Sequence, residues 1–208
     1  MEPIRLANHR LPESRLTNTT HNTHHKMPRH TAQSAAFFFL ILTAQLHAET
    51  KVYFSPHGGA ENAITAQIHT AAHIIRIQAY HLSSQPIADA LITAIHRGVT
   101  VTVIIDKTGY ASPYCQANRL LNNHATIVID APHSIAHNKI IIIDDTTLIT
   151  GSYNFTKQAD QNNAENLLII DDAKIINLYI ANWTNHLNHS LRIIKTPTRT
   201  KQRTNGRI

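Results

Sequence analysis

Short runs of β-branched residues alternate along the chain with segments whose apolar residues recur every three or four positions. The β-branched runs predict strands, and the spacing of three or four predicts helices. Strands are expected at residues 51–55, 74–81, 99–106, 126–130, 137–143, 148–153 and 167–171. Helices are expected at residues 61–72, 86–97, 113–123, 156–160 and 173–189. This alternation predicts an α/β domain in which a mixed β-sheet is flanked by helices on both faces.

One apolar run near the start of the chain is of a different kind: residues 35–44 read AAFFFLILTA. The run is too short for a membrane span, which needs about 20 residues, but it suits the core of a signal peptide. Arg29 precedes it and Ala48 offers a cleavage point, although Leu46 makes that point imperfect and a buried helix is the alternative. We therefore expect residues 27–48 to be a signal peptide. The mature protein is expected to be periplasmic or secreted, with no stable membrane span.

Residues 1–26 are polar and show no hydrophobic periodicity, so we expect a disordered leader or a mis-assigned start ahead of Met27. Histidines crowd this end of the chain in a pattern that is typical of metal-binding tracts. They are His21, His24, His25 and His30. Cleavage near Ala48 would remove them, which makes a zinc-binding histidine protein the weakest hypothesis.

The positive charge of the chain is concentrated at its ends. Between Glu49 and Leu191 there are eleven acidic and eight basic residues, whereas residues 192–208 hold six basic residues and no acid. We expect a folded domain at 49–190 and a basic tail at 191–208. The tail could add affinity for nucleic acid or anionic lipid, or be a solvated end. The single cysteine, Cys115, excludes an internal disulfide.

The spacing H-x-K-x4-D runs through His137, Lys139 and Asp144. Side chains two apart on a strand share a face, so the imidazole of His137 is expected beside the ammonium of Lys139. Asp144 has the opposite parity and stands where the strand meets the turn at 145–147. It is therefore expected to brace that turn and not to join the pair.

Further polar residues follow on the next predicted strand. That strand can return antiparallel beside the first, and Gly151 allows close approach of the backbones. Ser152 and Asn154 would then lie near the His/Lys pair, with Glu165 further on. Polar groups clustered on apolar strands cost free energy unless they are satisfied. A solvated strand end explains any single one of these residues, but the ordered set indicates a functional site.

The ordered set, H-x-K-x4-D-x6-G-S-x-N with a glutamate about ten residues on, resembles the motif of the phospholipase D superfamily. The upstream segment Phe54-Ser55-Pro56 and the strand ENLLII, followed by a helix bearing Trp183, fit the same family. From Lys51 to His189 the chain is similar to the small bacterial single-motif members, the EDTA-resistant Nuc-type endonucleases.

The resemblance implies a phosphodiesterase with a phospholipase D-like fold, and it makes 49–190 the catalytic domain. It implies that His137 is the nucleophile and forms a phosphohistidine, and that Lys139, Ser152 and Asn154 bind the phosphate. Glu165 could hold the second ring nitrogen of His137, as the aspartate does in a serine-protease triad. Asp144 is carried over as a structural member of the motif. A two-metal site needs several convergent carboxylates, so neither a metal nor another cofactor is expected.

Members of the family with one motif per chain pair two chains around a dyad, so the resemblance also implies a homodimer. His137 of one subunit would attack phosphorus, and the same residue of the other would protonate the leaving group. The expected substrate is DNA or RNA, cut without sequence preference. The alternative is a phospholipase D acting on phosphatidyl head groups, and an exported binding protein without activity is a third hypothesis. His81 and Asp106 stand at strand ends and are expected to support the site from outside.

Overall fold

A computed structural model describes residues 48–194. The leader, nearly all of the expected signal peptide and most of the expected basic tail lie outside the described residues. The described strands are β1 (Thr50–Ser55), β2 (Ile74–Ala79), β3 (Thr100–Asp106), β4 (Thr126–Asp130), β5 (Lys139–Ile143), β6 (Thr147–Gly151), β7 (Glu165–Ile170) and β8 (Leu191–Arg192). The described helices are α1 (Ala60–Thr70), α2 (Gln85–His96), α3 (Lys107–Ala111), α4 (Ala117–Asn122), α5 (Lys157–Gln161) and α6 (Ala173–His189).

All the strands of the described chain join one sheet in the order β1-β7-β6-β5-β2-β3-β4-β8. Strands β2, β3 and β4 run parallel, and every other neighbouring pair is antiparallel. The parallel connections are made by α2 and by α3 with α4, as crossover geometry requires. The mixed sheet that the sequence predicts is therefore confirmed, with β5 and β2 as its central pair.

Each face of the sheet carries its own apolar core. On one face, α1, α2, α4 and α5 pack over residues such as Ile77, Val103 and Ile141. On the other face, α6 covers Ile104, Ile142 and their neighbours through Ile176 and Trp183. The indole Nε1 of Trp183 donates to the carbonyl oxygen of Ile77 at 3.0 Å, which fixes α6 over the centre of the sheet. Helices on both faces are thus confirmed.

The helix predicted at 113–123 is wrong in its first half. The backbone of Ser112 is extended, as the residue before a proline prefers, and the helix begins only at Ala117. A short helix that the sequence did not reveal, α3, lies upstream. It depends on the carboxylate of Asp106, which accepts from the backbone N–H of Thr108 at 2.7 Å and so caps the helix.

Two boundaries next to the motif differ from the prediction. Strand β5 begins at Lys139, not at 137, because the opposing strand β2 ends at Ala79 and leaves nothing for His137 to pair with. Strand β6 ends at Gly151, where the chain meets β7. Leu191 and Arg192, assigned to the basic tail from the sequence, instead form β8 and pair with Val128 and Ile129 of β4.

Candidate active site

The motif histidine and lysine are in direct contact. Lys139 Nζ lies 2.9 Å from His137 Nδ1 and donates to the His137 carbonyl oxygen at 2.7 Å. Lys139 is buried, with 6% of its surface exposed, whereas the imidazole of His137 is exposed. Burial lowers the pKa of Lys139, and the nearby carboxylate of Glu165 raises it in part. The side chains therefore meet as the sequence predicts, although His137 lies in a loop.

The backbone on both sides of His137 is held by hydrogen bonds. The carboxylate of Asp106 accepts from the Ala136 N–H at 2.8 Å, and the Asn138 carbonyl oxygen accepts from the Tyr80 N–H at 2.9 Å. Burial raises the pKa of Asp106, but its hydrogen bonds to Ala136 and Thr108 hold the pKa below its usual value. Asp106 thus stays ionised and positions the loop that carries the imidazole, which is the supporting place expected of it.

Glu165 contacts Ser152 and does not contact His137 in the described hydrogen bonds. Ser152 Oγ donates to Glu165 Oε2 at 2.6 Å, and Asn163 Nδ2 donates to Glu165 Oε1 at 3.0 Å. The expectation that Glu165 holds the second ring nitrogen of His137 does not match this arrangement. Both carboxylate oxygens are already engaged by donors, one from the residue after β6 and one from the loop before β7, so the glutamate orients Ser152 instead.

Asn154 has an unsatisfied atom in the site. Its Oδ1 is buried and has no hydrogen-bond partner among the described residues. A buried polar atom without a partner costs about 1–3 kcal/mol, and rotating the carboxamide would present its NH2 at the same point. The residue lines a pocket of about 280 Å³ together with His137, Lys139, Gly151, Ser152 and Glu165. A ligand with anionic oxygens, such as a phosphate, would satisfy the carboxamide and the ammonium together.

The glycine of the motif is required by the approach of β7. Gly151 has φ +151°, and a Cβ at this position would overlap the carbonyl oxygen of Asn166. The Ser152 and Tyr153 N–H groups both donate to that same oxygen, at 3.1 and 3.3 Å. The close approach brings Ser152 and Glu165 to one side of the pocket.

Asp144 lies apart from the pocket. Its carboxylate accepts three backbone N–H groups, from Ala72 at 2.7 Å and from His73 and Ile74 at 2.8 Å each. Burial raises the pKa of Asp144, but these hydrogen bonds hold the pKa below its usual value. The residue is structural, as expected, although it braces the loop between α1 and β2, not its own turn.

Two aromatic residues beside the imidazole were not identified as a unit from the sequence. The Tyr80 ring centroid lies 4.6 Å from that of His137 and 4.1 Å from that of His81, and Lys139 Nζ lies 5.3 Å from the Tyr80 ring. Burial lowers the pKa of His81, and the charge of Asp106 raises it in part. The sequence signal was the position of Tyr80 and His81 directly after β2, at the edge where parallel strands end.

Cavity size alone does not identify this site. A larger cavity, of about 720 Å³, is lined by Glu61, Tyr114, Lys157 and other polar residues, but by none of the motif residues. We assign the candidate active site to the smaller pocket because it brings together the imidazole, the ammonium, the carboxamide and the hydroxyl of the motif.

The open mixed sheet with helices on both faces is a phospholipase D-like fold, and it carries the exposed imidazole of the motif beside a buried ammonium. The chain belongs to the phospholipase D superfamily: residues 64–187, more than half of the chain, match the family described as cardiolipin synthase, PLD-like domain. This confirms the resemblance found in the sequence and makes the protein a phosphodiesterase, a hydrolase.

Two named proteins and one solved structure illustrate what the chain is similar to. A phospholipase D of Rickettsia felis is 39% identical over 140 residues, which cover 67% of this chain and 70% of that protein. A mitochondrial cardiolipin hydrolase of Xenopus laevis is 34% identical over 125 residues, and the match spans only 60% of its length. The crystal structure of Nuc from Salmonella typhimurium, a phospholipase D family member, matches with a TM-score of 0.68 and 31% identity. That match covers 72% of this chain and all of Nuc.

Proposed function

We propose that the protein hydrolyses phosphodiester bonds of DNA or RNA through a phosphohistidine, without a metal in the reaction, at a site shared by two subunits. The observation that carries the proposal is the exposed imidazole of His137 lying 2.9 Å from the buried ammonium of Lys139. A nucleophile beside a fixed cation is what attack on an anionic phosphodiester requires.

Each residue of the pocket has its own role in the proposed reaction. Lys139 and the carboxamide of Asn154 would bind the non-bridging oxygens of the phosphate, and Ser152, oriented by Glu165, would add a third donor. An ammonium has no acceptor, so Lys139 donates to Nδ1 of His137 and a neutral ring carries its proton on Nε2. That ring cannot yet attack phosphorus through Nε2. In the attacking copy, phosphate oxygens would draw the Lys139 ammonium away from Nδ1, so that the neutral ring can keep its proton on Nδ1 and attack through Nε2. The acid copy would have to be an imidazolium, which gives its Nε2 proton to the leaving oxygen and becomes neutral.

The reaction needs two imidazoles, one to attack phosphorus and one to act as acid and then as base. Each chain supplies one His137, and its exposure leaves it accessible to a second copy across a twofold axis. His81 of the same chain is the competing acid, since it lies close enough for its charge to interact with that of His137. We assign the acid to the partner's copy of His137, because His81 packs against Tyr80 and is partly buried.

Nucleic acid is the substrate that the similarity to Nuc-type endonucleases favours. One observation supports the lipid alternative: Ile135, two residues before His137, is 56% exposed, and relatives are named phospholipase D and cardiolipin hydrolase. An exposed apolar side chain this close to His137 along the chain could enter a bilayer surface. Within residues 48–194, no helix has the length and apolar character to cross a bilayer.

We further propose export to the periplasm or the medium after cleavage near Ala48, which the apolar run at 35–44 supports. N-terminal sequencing of the protein recovered outside the cytoplasm tests this. A mature chain that begins before Met27 would contradict it.

The function is tested by incubating purified protein with supercoiled plasmid and, separately, with phosphatidylcholine vesicles, each with excess EDTA and with circular dichroism recorded in parallel. Plasmid cleavage alone is expected. Cleavage of lipid alone would establish the alternative, and loss of activity on chelation in a protein that stays folded would refute the metal-free reaction. His137→Asn is the inactive control.

The motif variants test the assignment of the site, and the oligomeric state of the active protein tests whether the site is shared. His137→Asn and Lys139→Ala are each expected to lose activity by at least about 10²-fold, since the first removes the nucleophile and the second removes a positive charge on the reacting phosphate. Their mixture is expected to stay defective, because every shared site then lacks an imidazole or an ammonium. Activity near the wild-type level in either single variant, or in a strictly monomeric protein, would refute the assignment.

A further inference from the structure

A second cluster of ionisable side chains lies outside the pocket. Asp130 is completely buried at the end of β4, and three histidines surround its carboxylate. Asp130 Oδ1 lies 2.7 Å from His133 Nδ1 and 3.4 Å from His189 Nε2, and Oδ2 lies 2.6 Å from His186 Nδ1. One ligand atom from each of the four residues lies within 4.8 Å of all the others.

The fold brings these residues together from three segments. Asp130 ends a strand, His133 follows three residues later in the loop, and His186 and His189 lie three apart on α6, hence on one face of the helix. The sequence signal is the pair D-x-x-H and H-x-x-H, separated by more than fifty residues. The two pairs form one cluster only because α6 packs across β4.

The ring positions match those around a tetrahedral metal ion. A zinc–nitrogen bond is about 2.0–2.1 Å, so the centroid of a bound imidazole lies about 3.2 Å from the ion. The centroids of two imidazoles bound at two corners of a tetrahedron are then about 5.2 Å apart. The observed centroid separations are 4.8 Å for His133 and His186, 5.1 Å for His133 and His189, and 5.2 Å for His186 and His189.

Without a metal, neutral rings of His133 and His186 can each donate an Nδ1–H to the Asp130 carboxylate, at 2.7 and 2.6 Å. Those two hydrogen bonds do not explain the third ring, His189, whose Nε2 also faces the carboxylate at 3.4 Å. The cluster also includes the last turn of the seventeen-residue helix α6, whose carbonyl end favours a cation. Lys107 donates to the His133 carbonyl oxygen at 2.9 Å and so holds the loop from its backbone side.

We propose that Asp130, His133, His186 and His189 form a structural binding site for a divalent transition metal, with Zn²⁺ as the best match. Three imidazoles and one carboxylate suit zinc in donor type and number. The bound ion would tie the end of α6 to β4 and to the loop at 131–138 that carries His137. The exposed edges of His133 and His189 give the ion access from solvent. This proposal does not rest on the proposed function.

The test uses the full chain, without an affinity tag, in a background where His21, His24, His25 and His30 are replaced by glutamine. After chelation and dialysis, Co²⁺ and Zn²⁺ are titrated, with the visible spectrum of Co²⁺ and the melting temperature as readouts. We expect one ion per chain, a tetrahedral Co²⁺ spectrum, and a melting temperature that rises with Zn²⁺.

His186→Gln is expected to weaken Zn²⁺ binding by at least about 100-fold, because loss of a partner outside the coordination shell already costs about 10–100-fold. It should also abolish both the cobalt spectrum and the zinc-dependent shift. His96→Gln, an exposed histidine in the last turn of α2, is the matched control and should bind like the parent. His189→Gln, more exposed than His186, replaces the first variant if that one does not fold.

Equal metal binding by the parent and the histidine variants, or no zinc-dependent shift in the parent, would overturn the metal site. Neither readout involves turnover, so failure of the metal site and failure of the proposed function are distinguishable. With a structural metal, chelation lowers the melting temperature but leaves turnover intact while the protein is folded.

Discussion

Asp144 belongs to the catalytic motif by sequence but to the scaffold by structure, and Asp144→Asn separates these two roles. The carboxylate accepts three backbone N–H groups at 2.7–2.8 Å. Asparagine keeps one acceptor oxygen and turns an NH2 toward the remaining donor, so at least one charge-assisted hydrogen bond is lost. Asparagine also tolerates the positive φ of 49° at this position, which adds no backbone strain.

The loss of one charge-assisted hydrogen bond lowers the free energy of unfolding by about 1.5–3 kcal/mol. For a domain of this size we expect a fall in melting temperature of about 3–12 °C. The assay is thermal unfolding at pH 7, with turnover measured well below both transitions. Turnover of the folded variant should stay within about twofold of wild type, because Asp144 does not reach the pocket.

Asp145→Asn is the matched control for this variant. Asp145 is the next residue, also has positive φ, and pairs with Arg76 at the surface. The Asp145 side chain is half exposed and Arg76 is 17% exposed, so loss of this pair is expected to cost about 1 kcal/mol. A folded Asp144→Asn protein with an unchanged melting temperature but lost turnover would refute the structural role.

The pH dependence of stability has a definite sign. The pKa of Asp144 is held below its usual value in the folded state. Its contribution to stability is therefore complete above the unfolded pKa of about 3.9 and is lost as pH falls through the folded pKa. The difference in stability between wild type and Asp144→Asn should be full at pH 7 and shrink below about pH 4.

Three further predictions concern the pocket. His81→Gln should lower turnover by less than about 10-fold if the partner's copy of His137 is the acid; a loss as large as that of His137→Asn would assign the acid to His81 and remove the need for a shared site. Glu165→Gln removes the charge that raises the Lys139 pKa, so the alkaline limb of the pH–rate profile should move to lower pH, and an unmoved limb would contradict their coupling. Ile135→Ser should reduce vesicle binding without changing plasmid cleavage, and equal loss on both substrates would show that Ile135 instead supports the loop.

The short range of the H-x-K spacing explains why the His137–Lys139 contact was predictable. Two residues on one strand face are brought together by covalent geometry, whatever the rest of the chain does. Lys139 Nζ reaches both the ring and the carbonyl oxygen of His137 even though the histidine itself lies in the loop. The hydrogen bond from Lys139 to the His137 carbonyl oxygen holds the two residues together, so the wrong strand boundary did not affect the prediction of their contact.

The partners of Glu165 and Asp144 were not predictable in the same way. The carboxylate of Glu165 meets Ser152 because β7 pairs with β6, and Asp144 meets the loop at 72–74 because β5 lies beside β2. A shift of two residues in the register of either pairing would keep the same side chains on the same face of each strand. The pattern of apolar and polar residues along a strand would therefore be the same for both registers. A local pattern therefore carries no information on which distant donor each carboxylate accepts.

By itself, the sequence determined the alternation of strands and helices, the family, and the set of residues that can carry phosphoryl chemistry, because these follow from periodicity and from neighbours a few residues apart. Only the tertiary structure decided that Asp106 holds the histidine loop, that Asn154 Oδ1 is buried in the pocket without a partner among residues 48–194, and that Asp130 gathers three histidines. Those contacts join segments that are distant along the chain, and their geometry exists only once strand order and helix packing have been set.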